Sequence, residues 1–283
     1  MTAEDFVKEV QESDFYYPEF ENEYSSFLKY QKLALQTLNE FHRVCENNNI
    51  NYALAYGSLL GVVRDHGQIP WDYDIDVVID IQDRERLIDA LNEYLSDDFY
   101  FICSLSNPMC LHYIIRLAPK GYNSLDLHVD VFYAVGIPEE ENERKEIFTK
   151  LKRCTIIRRN KLRDLKRVWK VSKKKFIVYQ YIKLRFLFTS LKSINEQFEE
   201  ASHRYPLITT KNCIIPEYQS IMDSKDFIDT KLIELDSGTY RIPVYYDDLL
   251  TKWYGDYHRI MPLEERLNEM RIHYNNLRRF GKE

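Results

Sequence analysis

Two apolar runs of the sequence carry carboxylates at alternate positions. Asp74 and Asp76 lie in the first run, and Asp130 lies in a later one. Successive side chains of a strand point to opposite faces, so Asp74 and Asp76 share a face, and Asp130 completes the group if the two strands are neighbours. Carboxylates this close repel one another unless a cation or a proton lies between them. The pattern predicts that these three residues are catalytic and bind one or two Mg²⁺ or Mn²⁺ ions that hold substrate phosphates.

A Gly-Ser pair, Gly57 and Ser58, precedes these acids, between a predicted strand over residues 52–56 and a predicted short helix over residues 59–64. Glycine lets the backbone approach a ligand closely, and the N–H groups at a helix start suit a phosphate, to which the serine hydroxyl can also donate. Arg64 can add a planar guanidinium. An isolated Asp-x-Asp pair is a weak signal, because solvated carboxylates are common on edge strands. Its combination with a Gly-Ser turn and a third acid favours a metal and phosphate site.

Two residues beside the acids have both a catalytic and a structural interpretation. Asp72 shares the predicted face of Asp74 and Asp76, and it is either a further metal ligand or a neighbour of the ligands. His128 shares a face with Asp130, and it is either a general base or donor, or a histidine with a structural role.

Two larger side chains are candidates for substrate contact. Trp71 follows Pro70 and either stacks on a base or sugar or packs in the interior. Arg116 lies on the predicted strand before the third carboxylate and is a candidate phosphate contact.

The elements that must position these residues are helices and strands in alternation, which predicts an α+β fold with a mixed sheet flanked by helices. A stripe at steps of three and four predicts a helix from Ser25, with the apolar positions Phe27, Tyr30, Ala34, Leu38, Phe41 and Cys45. Another helix is predicted over residues 84–95, and strands are predicted over 73–79, 99–103, 111–118 and 126–133. Residues 1–24 are acidic and aromatic and are predicted to form an arm.

The character of the sequence changes near residue 138. We predict a catalytic core with the arm over residues 1–138 and a mainly helical lobe over residues 139–283, because residues 139–200 contain no Gly or Pro. Residues 204–250 have a mixed pattern, and a last helix is predicted over residues 262–280.

The lobe contains a strongly basic stretch, residues 158–192, with thirteen Lys or Arg, one acid and interleaved aromatic residues. Three interpretations stay open. The stretch contacts an anionic membrane peripherally, holds an anionic acceptor or nucleotide, or is a packed lobe with a solvated basic face.

Composition excludes several classes of protein. A net charge of −6 argues against a general nucleic-acid binder, and we expect no nucleic-acid partner. Five cysteines form no C-x-x-C pair, which is typical of reduced thiols, and residues 1–14 lack the pattern of a signal peptide. We therefore expect a cytoplasmic protein, with peripheral contact at the inner face of the membrane left open by the basic stretch. Walker A, Rossmann, zincin and hydrolase motifs are missing from the sequence.

The order strand, Gly-Ser, helix, Asp-x-Asp and later Asp resembles the DNA polymerase beta-like nucleotidyltransferases. The fuller sequence is similar to one branch, the LicD/fukutin family, in residues 56–64, 69–76 and 128–132 and in a closing motif with Tyr254, Gly255, Asp256, Tyr257, Pro262 and His273. The similarity is dense over residues 50–135 and 240–275. The chain departs from the family pattern at Tyr73, where Asp is frequent, and after Tyr133, where a Pro-Leu-Asp-like stretch is usual. After the Tyr-Gly-Asp motif, where the family often has a pair of prolines, only Pro262 is present. These departures concern the identity of the acceptor more than catalysis.

The resemblance implies a metal-dependent transferase that moves a phospho-alcohol from a CDP-alcohol donor. Phosphocholine is the phospho-alcohol that the resemblance favours. The acceptor is a hydroxyl of a cell-surface glycan such as lipopolysaccharide or teichoic acid, or its lipid-linked precursor, and CMP is released. The metal role carries over to the three aspartates, and phosphate contacts carry over to Gly57, Ser58 and Arg64. Tyr254 and Asp256, which otherwise form only a turn, become candidate substrate contacts.

Two rival functions stay open. One is transfer of a nucleoside monophosphate from a nucleoside triphosphate with release of pyrophosphate. The other is a non-catalytic protein of the same fold that binds a glycan or a membrane.

Overall fold

The computed structural model describes residues 1–104, 107, 110–124, 126–218 and 220–280. The strands are β1 (Ala53–Leu54), β2 (Ile75–Asp80), β3 (Phe99–Cys103), β4 (Ile115–Pro119), β5 (Val129–Ile137), β6 (Asn212–Ile214), β7 (Ile221–Asp223), β8 (Thr230–Leu235) and β9 (Gly238–Pro243). The helices are α1 (Ala3–Gln11), α2 (Phe20–Asn47), α3 (Tyr56–Leu60), α4 (Arg84–Tyr94), α5 (Glu141–Leu162), α6 (Leu165–Val171), α7 (Lys173–Arg185), α8 (Leu191–Ser202), α9 (Lys225–Ile228), α10 (Tyr246–Tyr254) and α11 (Leu263–Phe280).

A mixed sheet forms the centre of the molecule, in the order β1-β2-β5-β4-β3. Strands β2 and β5 are parallel, whereas β4 runs antiparallel to β5 and β3 antiparallel to β4. The second half of β5 pairs with β6, which pairs in turn with β7. Because helices pack against this sheet, the predicted α+β class with a mixed sheet is confirmed.

Helix α2 is the predicted amphipathic helix, but it begins at Phe20 rather than Ser25. The stripe extends backward through Phe20 and Tyr24, which are buried, so the same apolar face continues for one more turn.

The prediction of an arm over residues 1–24 is wrong for residues 3–11, which form α1. The Thr2 hydroxyl accepts a hydrogen bond from the Asp5 N–H, and the Asp5 carboxylate accepts one from the Thr2 N–H, a reciprocal cap at the helix start. Phe6 is fully buried, and its ring lies 5.5 Å from the rings of Tyr24 and Trp71. The apolar side chains of α1 therefore extend the core.

The two strands that carry the acids start later than predicted. The Asp74 N–H donates to Asp72 Oδ1 at 3.0 Å, a turn-forming bond that holds the chain out of the sheet until Ile75. Before β5, the N–H groups of Asp126 and Leu127 both donate to the Asn123 carbonyl oxygen at 3.0 Å. At both strand starts, local hydrogen bonds thus take the place of the sheet hydrogen bonds that the alternating pattern predicts.

The second half of the chain contributes strands as well as helices. Helices α5 to α8 follow the core, as predicted for residues 139–200. Strand β6 then returns to the central sheet, and β9 contacts β1. The division near residue 138 stays a prediction. In the part of the chain that the structure describes, none of the helices has the length and hydrophobicity needed to cross a bilayer.

Candidate active site

The centre of the site is a row of side chains across three neighbouring strands. In the register of the sheet, Asp76 on β2 is the partner of Asp130 on β5, and Asp130 is the partner of Arg116 on β4. Paired positions of neighbouring strands point to the same face. The structure therefore brings together two of the predicted acids and one of the predicted cationic contacts.

Asp130 is compensated by positive groups of the protein itself. Arg116 Nε donates to Asp130 Oδ1 at 2.7 Å, and His128 Nε2 lies 3.1 Å from the same oxygen. Although burial acts to raise the pKa of Asp130, the charges of His128 and Arg116 and their hydrogen bonds outweigh it and hold this pKa well below its ordinary value. Arg116, which we predicted to contact phosphate, thus has Asp130 as its partner. The structural alternative for His128 also fits this geometry.

Asp74 and Asp76 have a different environment. Among the described residues, the ion pairs at this edge involve Asp130 and Asp72, and no Lys, Arg or His is paired with Asp74 or Asp76. Part of Asp74 reaches the surface, but the surrounding protein displaces water, and this together with the charge of Asp72 raises the pKa of Asp74 to about 7. Burial, with the charge of Asp130, raises the pKa of Asp76 well above its ordinary value. The described part of the protein thus provides no cationic partner that would stabilise the ionised forms of Asp74 and Asp76.

Ser58 braces the start of β2. The Asp76 N–H donates to Ser58 Oγ at 2.9 Å, and the Ser58 hydroxyl donates to the Asp74 carbonyl oxygen at 3.4 Å. A Cβ at position 57 would lie 3.1 Å from Asp72 Oδ2, so Gly57 allows the close approach of the turn to the acids. The predicted phosphate role of Gly57 and Ser58 stays a prediction, and their observed contacts position the acids.

Asp72 lies between the acids and the last helix. A ligand atom from each of Asp72, Asp74 and His273 lies within 4.8 Å of the others, a spacing compatible with one cation. His273 Nε2 is 3.8 Å from Asp72 Oδ1. The His273 ring also packs on Tyr73, whose hydroxyl donates to the Asp126 carbonyl oxygen at 2.7 Å. We did not predict His273 as a site residue, although it stands in the closing motif, because its distance in sequence hides its approach to Asp72.

In this structure Arg64 and Trp71 make contacts within the fold, and the predicted phosphate role of Arg64 stays a prediction. Arg64 donates to Asp65 Oδ2 at 2.7 Å, and the amino group of Met1 lies 2.9 Å from Asp65 Oδ1. Trp71 is buried, with the guanidinium of Arg266 5.1 Å from its ring centre. The packing alternative for Trp71 is the one that the structure favours.

Aromatic side chains from three distant segments meet next to the acids. The rings of Tyr218 and Trp253 each lie 4.5 Å from the ring of Tyr56. The side chains of Tyr218 and Tyr254 are partly exposed to solvent. Loss of water around each hydroxyl is the larger cause that raises its pKa, and the charge of Asp76 is the next. The charge of Asp76 therefore acts on both tyrosine hydroxyls.

The sequence did not single out Tyr56, Tyr218 or Trp253, because a chain with 22 tyrosines offers no local signal that distinguishes them. Asp256, which we predicted beside Tyr254, is exposed at the turn after α10. The roles of Tyr254 and Asp256 stay predictions.

Comparison with known proteins shows similarity to one family. Residues 49–168 match the model of the LicD/FKTN/FKRP nucleotidyltransferase domain. The chain is 28% identical over 259 residues to the lipopolysaccharide cholinephosphotransferase LicD of Haemophilus influenzae. This match covers 83% of this chain and 92% of that protein. It is also 37% identical over 59 residues, 21% of this chain and 22% of the relative, to the uncharacterized protein RP689 of Rickettsia prowazekii. The predicted resemblance is confirmed, because residues 49–168 match the LicD/FKTN/FKRP nucleotidyltransferase domain.

Proposed function

We propose that the protein transfers phosphocholine from CDP-choline to a hydroxyl group of a lipopolysaccharide-type glycan and releases CMP. The observation that carries this proposal is the similarity to a lipopolysaccharide cholinephosphotransferase over 92% of that relative's length. A similarity of this extent takes in most of both chains. The remaining support comes from the charge distribution of the site.

The acids fit a divalent cation. Asp74 and Asp76 have no cationic partner among the described residues, and their raised pKa values show that the protein alone does not stabilise their ionised forms. Hard cations such as Mg²⁺ or Mn²⁺ prefer carboxylate oxygens, water and phosphate. Asp74, Asp76 and Asp130 would hold the ion, with Asp72 and His273 beside them. When bound, it would neutralise the diphosphate of the donor and the charge that develops on the leaving CMP.

The reaction needs little covalent chemistry from the side chains. The acceptor hydroxyl oxygen attacks the phosphorus that bears choline, the bond from that phosphorus to the oxygen of CMP breaks, and a carboxylate takes the hydroxyl proton. Arg116 and His128 keep Asp130 ionised and fixed in place, and Ser58 fixes the backbone of Asp76. Catalysis on this view rests on positioning and charge neutralisation.

The aromatic residues next to the acids favour choline as the transferred alcohol. A quaternary ammonium binds the faces of tyrosine and tryptophan rings through cation–π attraction. Tyr218 and Tyr254 are exposed and lie near Asp76. With the donor phosphates at the acids, the trimethylammonium group would contact these rings.

The test is release of CMP from CDP-choline, CDP-ethanolamine, CDP-glycerol and CDP-ribitol, with Mg²⁺ or with EDTA, using lipopolysaccharide that lacks phosphocholine as acceptor. We expect metal-dependent CMP from CDP-choline, lost in Asp76→Asn and retained in Asp89→Asn, an exposed acid on α4. Another CDP-alcohol as the sole donor would replace choline but keep the reaction class. Absence of CMP from all four donors, with the protein folded, would contradict the proposal.

Transfer of a nucleoside monophosphate is the second candidate, since the matched family model describes a nucleotidyltransferase domain. Incubation with the four nucleoside triphosphates and the same acceptor separates the two reactions. Pyrophosphate release that depends on the acceptor would favour this candidate, whereas CMP release from a CDP-alcohol favours phosphocholine transfer.

A further inference from the structure

The helix α7 exposes an apolar stripe. Ile177, Tyr181 and Leu184 follow one another at steps of four and three and therefore lie on one face of the helix. Their exposures are 67%, 69% and 67%, and Phe188, just past the helix end, is 97% exposed. All of α7 lies within the described part of the chain, and none of its residues is buried. Helix α7 contacts α5 and α6, but this stripe is left open to solvent.

Positive charge surrounds this stripe. Lys173 and Lys174 lie one helical turn before Ile177, Arg185 lies one turn after Tyr181, and all three are exposed. Residues 165–185, which span α6 and α7, contain eight Lys or Arg and no acid.

An exposed tryptophan on α6 adds to this surface. Trp169 packs edge-on against Phe176, with the Lys173 ammonium 5.5 Å from its ring centre. Tryptophan is enriched where one end of a side chain meets an apolar phase and the other meets water.

We infer that the surface formed by α6, α7 and Phe188 docks on a lipid bilayer that contains anionic lipids. The stripe would enter the boundary between headgroups and acyl chains, and the basic residues would contact the lipid phosphates. A second copy of this chain is a poor occupant, because like charges on the two faces would repel. A soluble anion would account for the lysines but would leave the stripe in water. The inference does not depend on which group the acids transfer.

The test is sedimentation of the full-length protein with vesicles of phosphatidylcholine alone and of phosphatidylcholine mixed with phosphatidylglycerol. We expect binding to the mixed vesicles, weakened by salt, and little binding to phosphatidylcholine alone. The double variant Lys173→Glu/Lys174→Glu should bind at least roughly tenfold more weakly, since each basic residue at an anionic surface contributes a factor of about five. Ile177→Ser/Leu184→Ser should also weaken binding, because it removes the apolar contact.

Two variants serve as controls. Lys29→Glu reverses an exposed charge on α2, and Leu232→Ser replaces an exposed leucine on β8, and both should bind as the unmodified protein does. Equal binding to both vesicle types, equal loss in control and test variants, or no binding at all would overturn the inference. A dimer in light scattering that Ile177→Ser/Leu184→Ser abolishes would assign the face to a second copy instead and would also overturn it.

Discussion

Asp76 and Asp130 are paired positions of two adjacent strands, yet their surroundings shift their pKa values in opposite directions. Asp130 has a guanidinium at 2.7 Å and an imidazole at 3.1 Å, and its pKa is lowered. Asp76 has no cationic partner among the described residues, and its pKa is raised. The fold therefore supplies charged partners for Asp130 and, among the described residues, none for Asp76. On the proposed function, Asp74 and Asp76 are the acids whose charge an added cation would balance, whereas Asp130 already has hydrogen-bonding partners within the protein.

The largest expected effect is on activity in Asp76→Asn. We predict that CMP release falls by roughly a thousandfold or more, because a bound divalent cation supplies several kcal/mol of transition-state stabilisation. Initial rates measured by chromatography of CMP, with Asp89→Asn as the isosteric control, check this. A loss of only a few-fold would show that Asp76 is not part of the metal site.

The next effect is on stability in Asp130→Asn. Removing the carboxylate leaves the guanidinium of Arg116 without its counterion, and breaking a buried ion pair costs about 3–5 kcal/mol. Chemical denaturation in EDTA should therefore show a large loss of unfolding free energy. An unchanged unfolding free energy would mean that the pair with Arg116 is energetically neutral.

Asp226 is a buried acid outside this cluster. Burial and the charge of Asp223 raise its pKa to about 6. A folded-state pKa above the unfolded value means that the native protein binds the proton more tightly, so ionisation destabilises the fold as the pH rises. Asp226→Asn should match the unmodified protein near pH 4 and exceed it by on the order of 1–3 kcal/mol at pH 8.

Denaturation series across this pH range measure the difference. Added Mg²⁺ should leave it unchanged, since nothing in the account assigns Asp226 to the metal site. A difference that shrinks with rising pH would contradict the assigned sign of the pKa shift.

The smallest effect is expected for Ser58→Ala. The variant removes the acceptor of the Asp76 N–H, so stability should fall by about 1 kcal/mol and CMP release should fall modestly. Thermal unfolding and the KM for CDP-choline separate the two roles of the hydroxyl. A large rise in KM with unchanged stability would show that Ser58 contacts the donor phosphates, as the sequence predicted.

The sequence predicted the meeting of Asp76 and Asp130, because alternation along a strand and a shared sheet are enough to place two acids on one face. It could not predict the pairing of Arg116 with Asp130, which depends on the antiparallel register of β4 beside β5. Helix α1 was missed because the buried Phe6 and Val10 stand among acidic residues in a short segment whose core partners lie elsewhere in the chain. The aromatic residues beside the acids were missed because residues 56, 218 and 253 meet only in the folded molecule.

Thermal unfolding of Asp76→Asn and Asp130→Asn, each in EDTA and in Mg²⁺, tests whether Asp76 belongs to a metal site. We expect that in EDTA Asp76→Asn melts above the unmodified protein and Asp130→Asn melts below it. We also expect that Mg²⁺ raises the melting temperature of the unmodified protein but not that of Asp76→Asn. If both variants shift in the same direction in EDTA, and Mg²⁺ stabilises Asp76→Asn as much as the unmodified protein, the assignment of Asp76 to a metal site is wrong.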